Sequence, residues 1–198
     1  FYRRVDMTGI SRFPEGRPII IAANHTNGLG DPFLIAAKIP GEPRFLAASS
    51  WWRIAPARWL FKLTATVPIH RRQDVQDTNS NAEVFAGCHA ALARGAQLAL
   101  FPEGEVHLEP ALLPLKTGAA RIALSAAADA GVREIAIVPV GITYEDQGRF
   151  RSQAAIHIGR PIEIDDWAER YKVDPEATTR AVTDVLADRL RDVTLNHA

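Results

Sequence analysis

The sequence predicts an α/β fold: a central, mostly parallel or mixed sheet flanked by helices. Three observations carry this. Strand-length runs recur at residues 18–23, 44–48, 96–101 and 134–140, bounded by Gly or Pro. Between them lie longer segments with apolar residues at helical spacing, and such alternation lays helices over the faces of one sheet. Two of the runs, 18–23 and 96–101, empty into polar Gly/Pro loops, and ligands gather at the C-terminal ends of strands in open α/β sheets.

Residues 1–16 read as an irregular lead-in with a turn at Phe13-Pro14-Glu15-Gly16. The first core strand, 18–23, exits into Asn24-His25-Thr26-Asn27-Gly28-Leu29-Gly30-Asp31-Pro32, and a helix follows to about Lys38. Asp followed by Pro is a helix start: Asp31 caps, and Pro32 at the first helical position gives up no needed N–H. Gly28 and Gly30 let the loop fold tightly enough to bring His25 and Asp31 together, one Asp31 oxygen capping while the other meets the imidazole. A carboxylate beside an imidazole fixes its tautomer and suits it to general-base work near neutral pH. Taken alone, a His and an Asp at this spacing are more often only a polar loop residue and a helix cap.

Pro40-Gly41-Glu42-Pro43 is a loop, and 44–48 a second strand. Residues 51–63 hold three of the four tryptophans, interleaved with Arg53, Arg58 and Lys62, and Pro56 kinks or restarts a helix there. This stretch has two readings, a membrane-interface segment or a core helix with a solvated basic edge. Residues 65–70 form a short third strand ending at Arg71-Arg72, a pair able to hold a phosphate through bidentate hydrogen bonds or to stand as a solvated charged loop. A helix spans 78–94, with Cys88 a small buried hydrophobe and His89 structural. Gly95 ends it.

The strand 96–101 runs into Pro102-Glu103-Gly104-Glu105-Val106-His107. Leu115-Lys116-Thr117-Gly118-Ala119-Ala120-Arg121 opens a helix to about Ala130, where Lys116 and Arg121 are placed to face an anion near its N-terminus. The core strand 134–140 continues through Gly141-Ile142-Thr143-Tyr144, and 154–159 alternates as a late strand. Asp174-Pro175 starts a C-terminal amphipathic helix with Val182, Val185, Leu186, Leu190 and Val193 on one side.

The 198 residues fit one domain, 1–198. Net charge is zero, but residues 1–75 hold eleven Lys/Arg against five Asp/Glu and the remainder twelve against eighteen, a basic first half suited to a phosphorylated ligand or an anionic membrane. The single cysteine excludes an intrachain disulfide and fits a reducing compartment. No apolar run approaches the roughly 18–20 residues that span a bilayer. The chain opens at Phe1 without an initiator Met, so the natural N-terminus, with any membrane-anchoring segment, is expected upstream. GxSxG, P-loop, dinucleotide and HExxH motifs are absent, the six histidines lack metal-ligand spacing, and no nucleic-acid surface is patterned.

Four blocks, in order, resemble the glycerolipid acyltransferase family, which includes glycerol-3-phosphate and 1-acylglycerol-3-phosphate acyltransferases. Asn24-His25-Thr26-Asn27…Asp31-Pro32 is similar to its His/Asp block. Val67-Pro68-Ile69-His70-Arg71-Arg72 is similar to its second block, where Arg71 matches the arginine that binds the acceptor phosphate. Phe101-Pro102-Glu103-Gly104, with Pro114 to Arg121 downstream, matches the third, and Ile137-Val138-Pro139-Val140-Gly141 the fourth. Two departures stand out. Five residues separate His25 from Asp31, resembling a subgroup with a His-x-Asn-x-x-x-Asp loop, where four are commonest. Glu105-Val106 follows Glu103-Gly104 where many members have Thr-Arg, which leaves Lys116, Arg121 or Arg72 to compensate for one phosphate ligand.

The resemblance implies the glycerolipid acyltransferase fold and direct acyl transfer, with His25 as general base and Asp31 holding it. Arg71, Arg72, Glu103, Gly104, Lys116 and Arg121 would position the acceptor phosphate. It implies an acyl-thioester donor, acyl-CoA or acyl-carrier protein, a glycerol phosphate or lysophospholipid acceptor, no metal and no other cofactor. It also implies association with a membrane surface at its cytoplasmic face, in phosphatidic acid synthesis. Rival readings are a non-catalytic lipid-binding protein, which needs neither His25 nor Asp31, and a thioesterase, which needs no phosphate clamp.

Overall fold

The computed structural model describes residues 2–48, 67–69, 78–109, 111–146, 149 and 151–194. Among them, eight strands form one mixed sheet: β1 (Arg4–Thr8), β2 (Ile19–Ala23), β3 (Arg44–Ala48), β4 (Val67–Ile69), β5 (Gln97–Leu100), β6 (Ala136–Tyr144), β7 (Gln153–Ile158) and β8 (Ile162–Glu163). Their spatial order is β1-β7-β6-β2-β5-β3-β4, with β8 on β6. The run from β6 to β4 is parallel, whereas β7 and β8 lie antiparallel to β6, and β1 is parallel to β7. The helices are α1 (Gly30–Lys38), α2 (Thr78–Ala93), α3 (Gly118–Ala128), α4 (Asp165–Val173) and α5 (Pro175–Thr194), with a 3-10 turn at Ile10–Arg12.

The central strands read as unbroken apolar runs because both faces of the sheet are covered. Ile20, Ala22, Leu98, Leu100 and Ile137 point into a core shared with Leu92 of α2, Ile122 and Leu124 of α3, and Val182, Leu186 and Leu190 of α5. Their neighbours Ile19, Ile21, Ala23, Val138 and Val140 point the other way, onto Leu34 and Ile35 of α1 and onto Phe13 and Phe45. Cys88 belongs to the first core, and burial pushes its thiol up to about 11, as fits a small hydrophobe. His89 is structural too: its Nε2 sits 2.8 Å from Ser125 Oγ on α3.

Three elements differ from the sequence reading. Residues 4–8 form a strand where an irregular lead-in was expected, because Arg-Val-Asp-Met-Thr is a partly exposed edge paired in parallel with β7 and lacks an apolar run. Residues 165–173 form a helix that the reading left out, since Ala168 is its only fully buried residue and Trp167 and Tyr171 only partly join the core. Its acidic first turn and basic last turn complement the helix dipole, a signal the apolar pattern obscured. The two residues of β8 are too short to show any period.

Four expectations, the Trp51–Leu63 segment, His70, Arg71 and Arg72, lie outside the described residues.

The sheet fixes one point that matters for the site. β2 and β6 pair in parallel up to Ala23 and Val140. One residue on, buried Asn24 continues the ladder with its side chain: Ile142 N donates to Asn24 Oδ1 at 2.7 Å and Asn24 Nδ2 donates to Ile142 O at 3.0 Å. This pins the loop that begins at His25 to the end of β6. Asn24→Leu keeps the volume and leaves both Ile142 groups unpaired, which is expected to cost about 1–3 kcal/mol. Urea unfolding of the two proteins measures it, and an unchanged midpoint would contradict the assignment.

Candidate active site

His25 leaves β2 and Asp31 lies in the first turn of α1, and the loop between them closes so that His25 Nδ1 meets Asp31 Oδ2 at 2.9 Å. The Asp31 side chain is fully buried. Three donors converge on it: the His25 ring, the Asn27 backbone N–H at 2.8 Å on the same oxygen, and the Tyr144 hydroxyl on the other. A carboxylate receiving three donors acts as acceptor only, so Nδ1 carries the ring proton and Nε2 presents its lone pair. The His25 ring lies flat on Phe101, centroids 3.9 Å apart and planes 11° from parallel. These contacts leave the imidazole one orientation.

Asp31 therefore does not cap α1. The helix begins at Gly30, and no side chain caps it through Leu29. Asp31 has no oxygen left for that task, because both are engaged by the loop, the imidazole and Tyr144. Asn27 instead accepts from Gly30 N at 3.2 Å through its side-chain oxygen. A Cβ at Gly30 would lie 2.7 Å from Asn27 Cγ, so this glycine serves close approach.

The second loop closes over the first. Glu103 is fully buried and faces the chain itself: Oε1 accepts His25 N–H at 2.8 Å, and Oε2 accepts Leu113 N–H at 2.8 Å and bonds His107 Nε2. His107 N in turn donates to His25 O at 3.2 Å. Glu103 is thus a brace beneath the histidine. Among the described residues, both of its oxygens are engaged by the chain itself.

Gly104 has φ of +77°, and a Cβ there would meet Lys116 Cδ at 2.8 Å and Cε at 2.9 Å. The exposed Lys116 chain therefore lies across the Gly104 main chain and brings an ammonium group to this loop. Arg121 does not join it. Its guanidinium sits over the Phe85 ring of α2, 5.0 Å from the centroid. Burial pushes the Tyr171 phenol on α4 up, Asp129 adds to that shift and Arg121 opposes it, which places Arg121 among the helices.

Tyr144 and His107 carry the site as much as the residues named from sequence. The signal for Tyr144 is its position: it ends a strand parallel to the one that delivers His25. Burial first, and the Asp31 carboxylate next, push its phenol far above its ordinary value, so it stays a donor. Tyr2 stands beside it, ring centroids 5.3 Å apart, and accepts Asn27 Nδ2–H at 3.1 Å. Four exposed apolar side chains, Leu29, Phe33, Val106 and Leu108, ring the two loops. Among the described residues no cluster of three metal-capable side chains forms.

Residues 4–143 match the family described as Acyltransferase. Glycerol-3-phosphate O-acyltransferase 2 of Saccharomyces cerevisiae is 31% identical over 195 residues, covering 95% of this chain and 26% of that protein. A 1-acyl-sn-glycerol-3-phosphate acyltransferase of Chlamydomonas reinhardtii is 31% identical over 128 residues, 65% of this chain and 36% of that protein. The chain thus spans about a quarter and about a third of these relatives' lengths. The crystal structure of the 1-acyl-sn-glycerophosphate acyltransferase PlsC of Thermotoga maritima superposes with a TM-score of 0.68 at 19% identity, over 98% of this chain and 73% of that one, a likeness of fold.

The Tyr144 shift has a measurable sign. Its phenol is raised from 10.0 in the folded protein, so above about pH 10 the unfolded state ionises first. The stability that the neutral phenol contributes is complete below that pH and is lost as pH rises beyond it. Urea unfolding between about pH 9 and about pH 11 is expected to show a shallower loss of stability for Tyr144→Phe than for the parent. Parallel slopes would remove Tyr144 from the buried contact with Asp31.

Proposed function

The chain belongs to the Acyltransferase family, and from that premise we propose that it moves a fatty acyl group from a thioester to a hydroxyl of glycerol 3-phosphate or 1-acylglycerol 3-phosphate, a step toward phosphatidic acid. One observation carries the reading. His25 is held by a buried carboxylate with its Nε2 lone pair uncommitted, on a loop braced from below by Glu103. That is the arrangement of a general base.

In the proposed reaction His25 Nε2 takes the proton from the acceptor hydroxyl as its oxygen attacks the thioester carbonyl. The C–O bond forms, the tetrahedral intermediate collapses with cleavage of the C–S bond, and the imidazolium returns its proton to the departing thiolate. Asp31 steadies the imidazolium and stays fixed by Asn27 and Tyr144 throughout. No enzyme-bound acyl group is required.

Lys116, laid across Gly104, supplies positive charge for the acceptor phosphate, and Arg71, with Arg72 beside it, is assigned to the same group through its place in the second block. Leu29, Phe33, Val106 and Leu108 offer the donor's acyl chain an apolar surface beside the reacting carbonyl. The donor is acyl-CoA or acyl-carrier protein. Long-chain acceptors partition into bilayers, so the reading places the enzyme at a membrane surface, on the cytoplasmic side where thioester donors are made. Among the described residues no helix is long and apolar enough to cross a membrane.

The test is labelled acyl-thioester supplied with and without glycerol phosphates, scored for new lipid and for free acid. New lipid is expected only with the acceptor. His25→Ala is expected to fold and to lose about 10²–10⁴-fold in turnover. A variant retaining more than about a tenth of the parent rate, far above that range, would remove His25 as the base. Free acid formed without acceptor would make the protein a thioesterase.

A further inference from the structure

A cavity lies away from His25. β7 starts beside Tyr144 and runs away from it, so Ile158, Gly159 and Arg160 fall toward the other end of the sheet. There they line a cavity of about 410 Å³ together with Thr8, Arg12, Arg189 and Asp192. That volume is in the range that takes small ligands.

Three arginines line the cavity, and among the described residues the side-chain hydrogen bonds of Arg12 and Arg189 go to main-chain carbonyls. Arg12 Nη1 donates to Ile158 O at 3.5 Å. Arg189 Nη1 donates to Arg160 O at 2.9 Å and to Pro161 O. Among the described residues, Arg12, Arg160 and Arg189 are absent from the ion pairs that tie other arginines, such as Arg17 and Arg191, to carboxylates. A guanidinium has five donors and no acceptor, so most of their N–H groups remain for a ligand. Burial pulls the Arg189 group below its ordinary value, the like charge of Arg160 adds to this, and the Glu163 carboxylate opposes it in part. Cations so gathered repel one another, and an anion between them relieves the repulsion. Asp192 contributes one negative charge to the lining, and the Thr8 hydroxyl sits 2.7 Å from His157 Nδ1.

We propose that this cavity is an anion site for a phosphate-bearing ligand, held by Arg12, Arg160 and Arg189 and separate from the site at His25. Arginine suits phosphate because its planar fork presents parallel donors to two oxygens. A free phosphate compound and a phospholipid headgroup share this chemistry. The proposal does not depend on the acyltransfer reading.

Calorimetric titration of the full chain with inorganic phosphate tests it. Arg189 also ties down two carbonyls, so the chosen variant is Arg12→Gln/Arg160→Gln, both side chains being exposed. The double variant is expected to bind phosphate at least about tenfold more weakly than the parent, while Arg180→Gln, an exposed arginine near the start of α5, binds it unchanged. Equal affinity in parent and double variant, an equal loss in Arg180→Gln, or no binding by the parent would each overturn the proposal. Sedimentation with phosphatidate and phosphatidylcholine vesicles separates the sources. Retention on phosphatidate that the double variant loses assigns a headgroup, and equal retention of both proteins assigns the free compound.

Discussion

Two fully buried carboxylates, Asp31 and Glu103, set the terms for everything around His25. Taking a carboxylate out of water costs roughly several kcal/mol unless polar donors replace the lost hydration. Each is therefore surrounded by donors drawn from separate parts of the chain. Asp31 needs the ring of His25, the backbone of Asn27 and the hydroxyl of Tyr144; Glu103 needs the backbones of His25 and Leu113 and the ring of His107. The Asp31 set requires β2 beside β6 and the Glu103 set requires β2 beside β5, so the whole site is a consequence of completing the sheet.

The same constraint orients the catalytic ring. His25 is gripped through its backbone N–H by Glu103, through its carbonyl by His107, through Nδ1 by Asp31 and across its face by Phe101. Among the described residues, only the Nε2 edge is uncommitted. The side chain departs from the sheet at a point fixed by Asn24, which ties β2 to β6 where their ladder ends. Preorganisation of this kind leaves little conformational freedom to lose when a substrate arrives.

Much of this was legible in the sequence because much of it is local or apolar. The core strands announce themselves as runs, and six residues along one loop suffice to bring His25 to Asp31. Tyr144 was not legible as a partner, since 113 residues separate it from Asp31 and only the register of β6 on β2 joins them. Spacing also carries no information about which way a carboxylate faces. Glu103 was therefore expected at an acceptor phosphate and is found turned inward, while Asp31, expected to share its oxygens with a helix cap, gives them to the loop, the ring and a tyrosine. Arg121 differs for a related reason: a helix N-terminus was anticipated correctly, but the side chain lies over the Phe85 ring of α2.

The central claim is that Asp31 holds His25 in the tautomer whose Nε2 is free to accept a proton. Nitrogen-15 NMR of the imidazole reads that tautomer directly, because the protonated and unprotonated ring nitrogens resonate far apart. At a pH where the ring is neutral, the account predicts a protonated Nδ1 and an unprotonated Nε2 for His25, with Asp31→Asn losing that preference. A proton on Nε2 in the parent protein would contradict it.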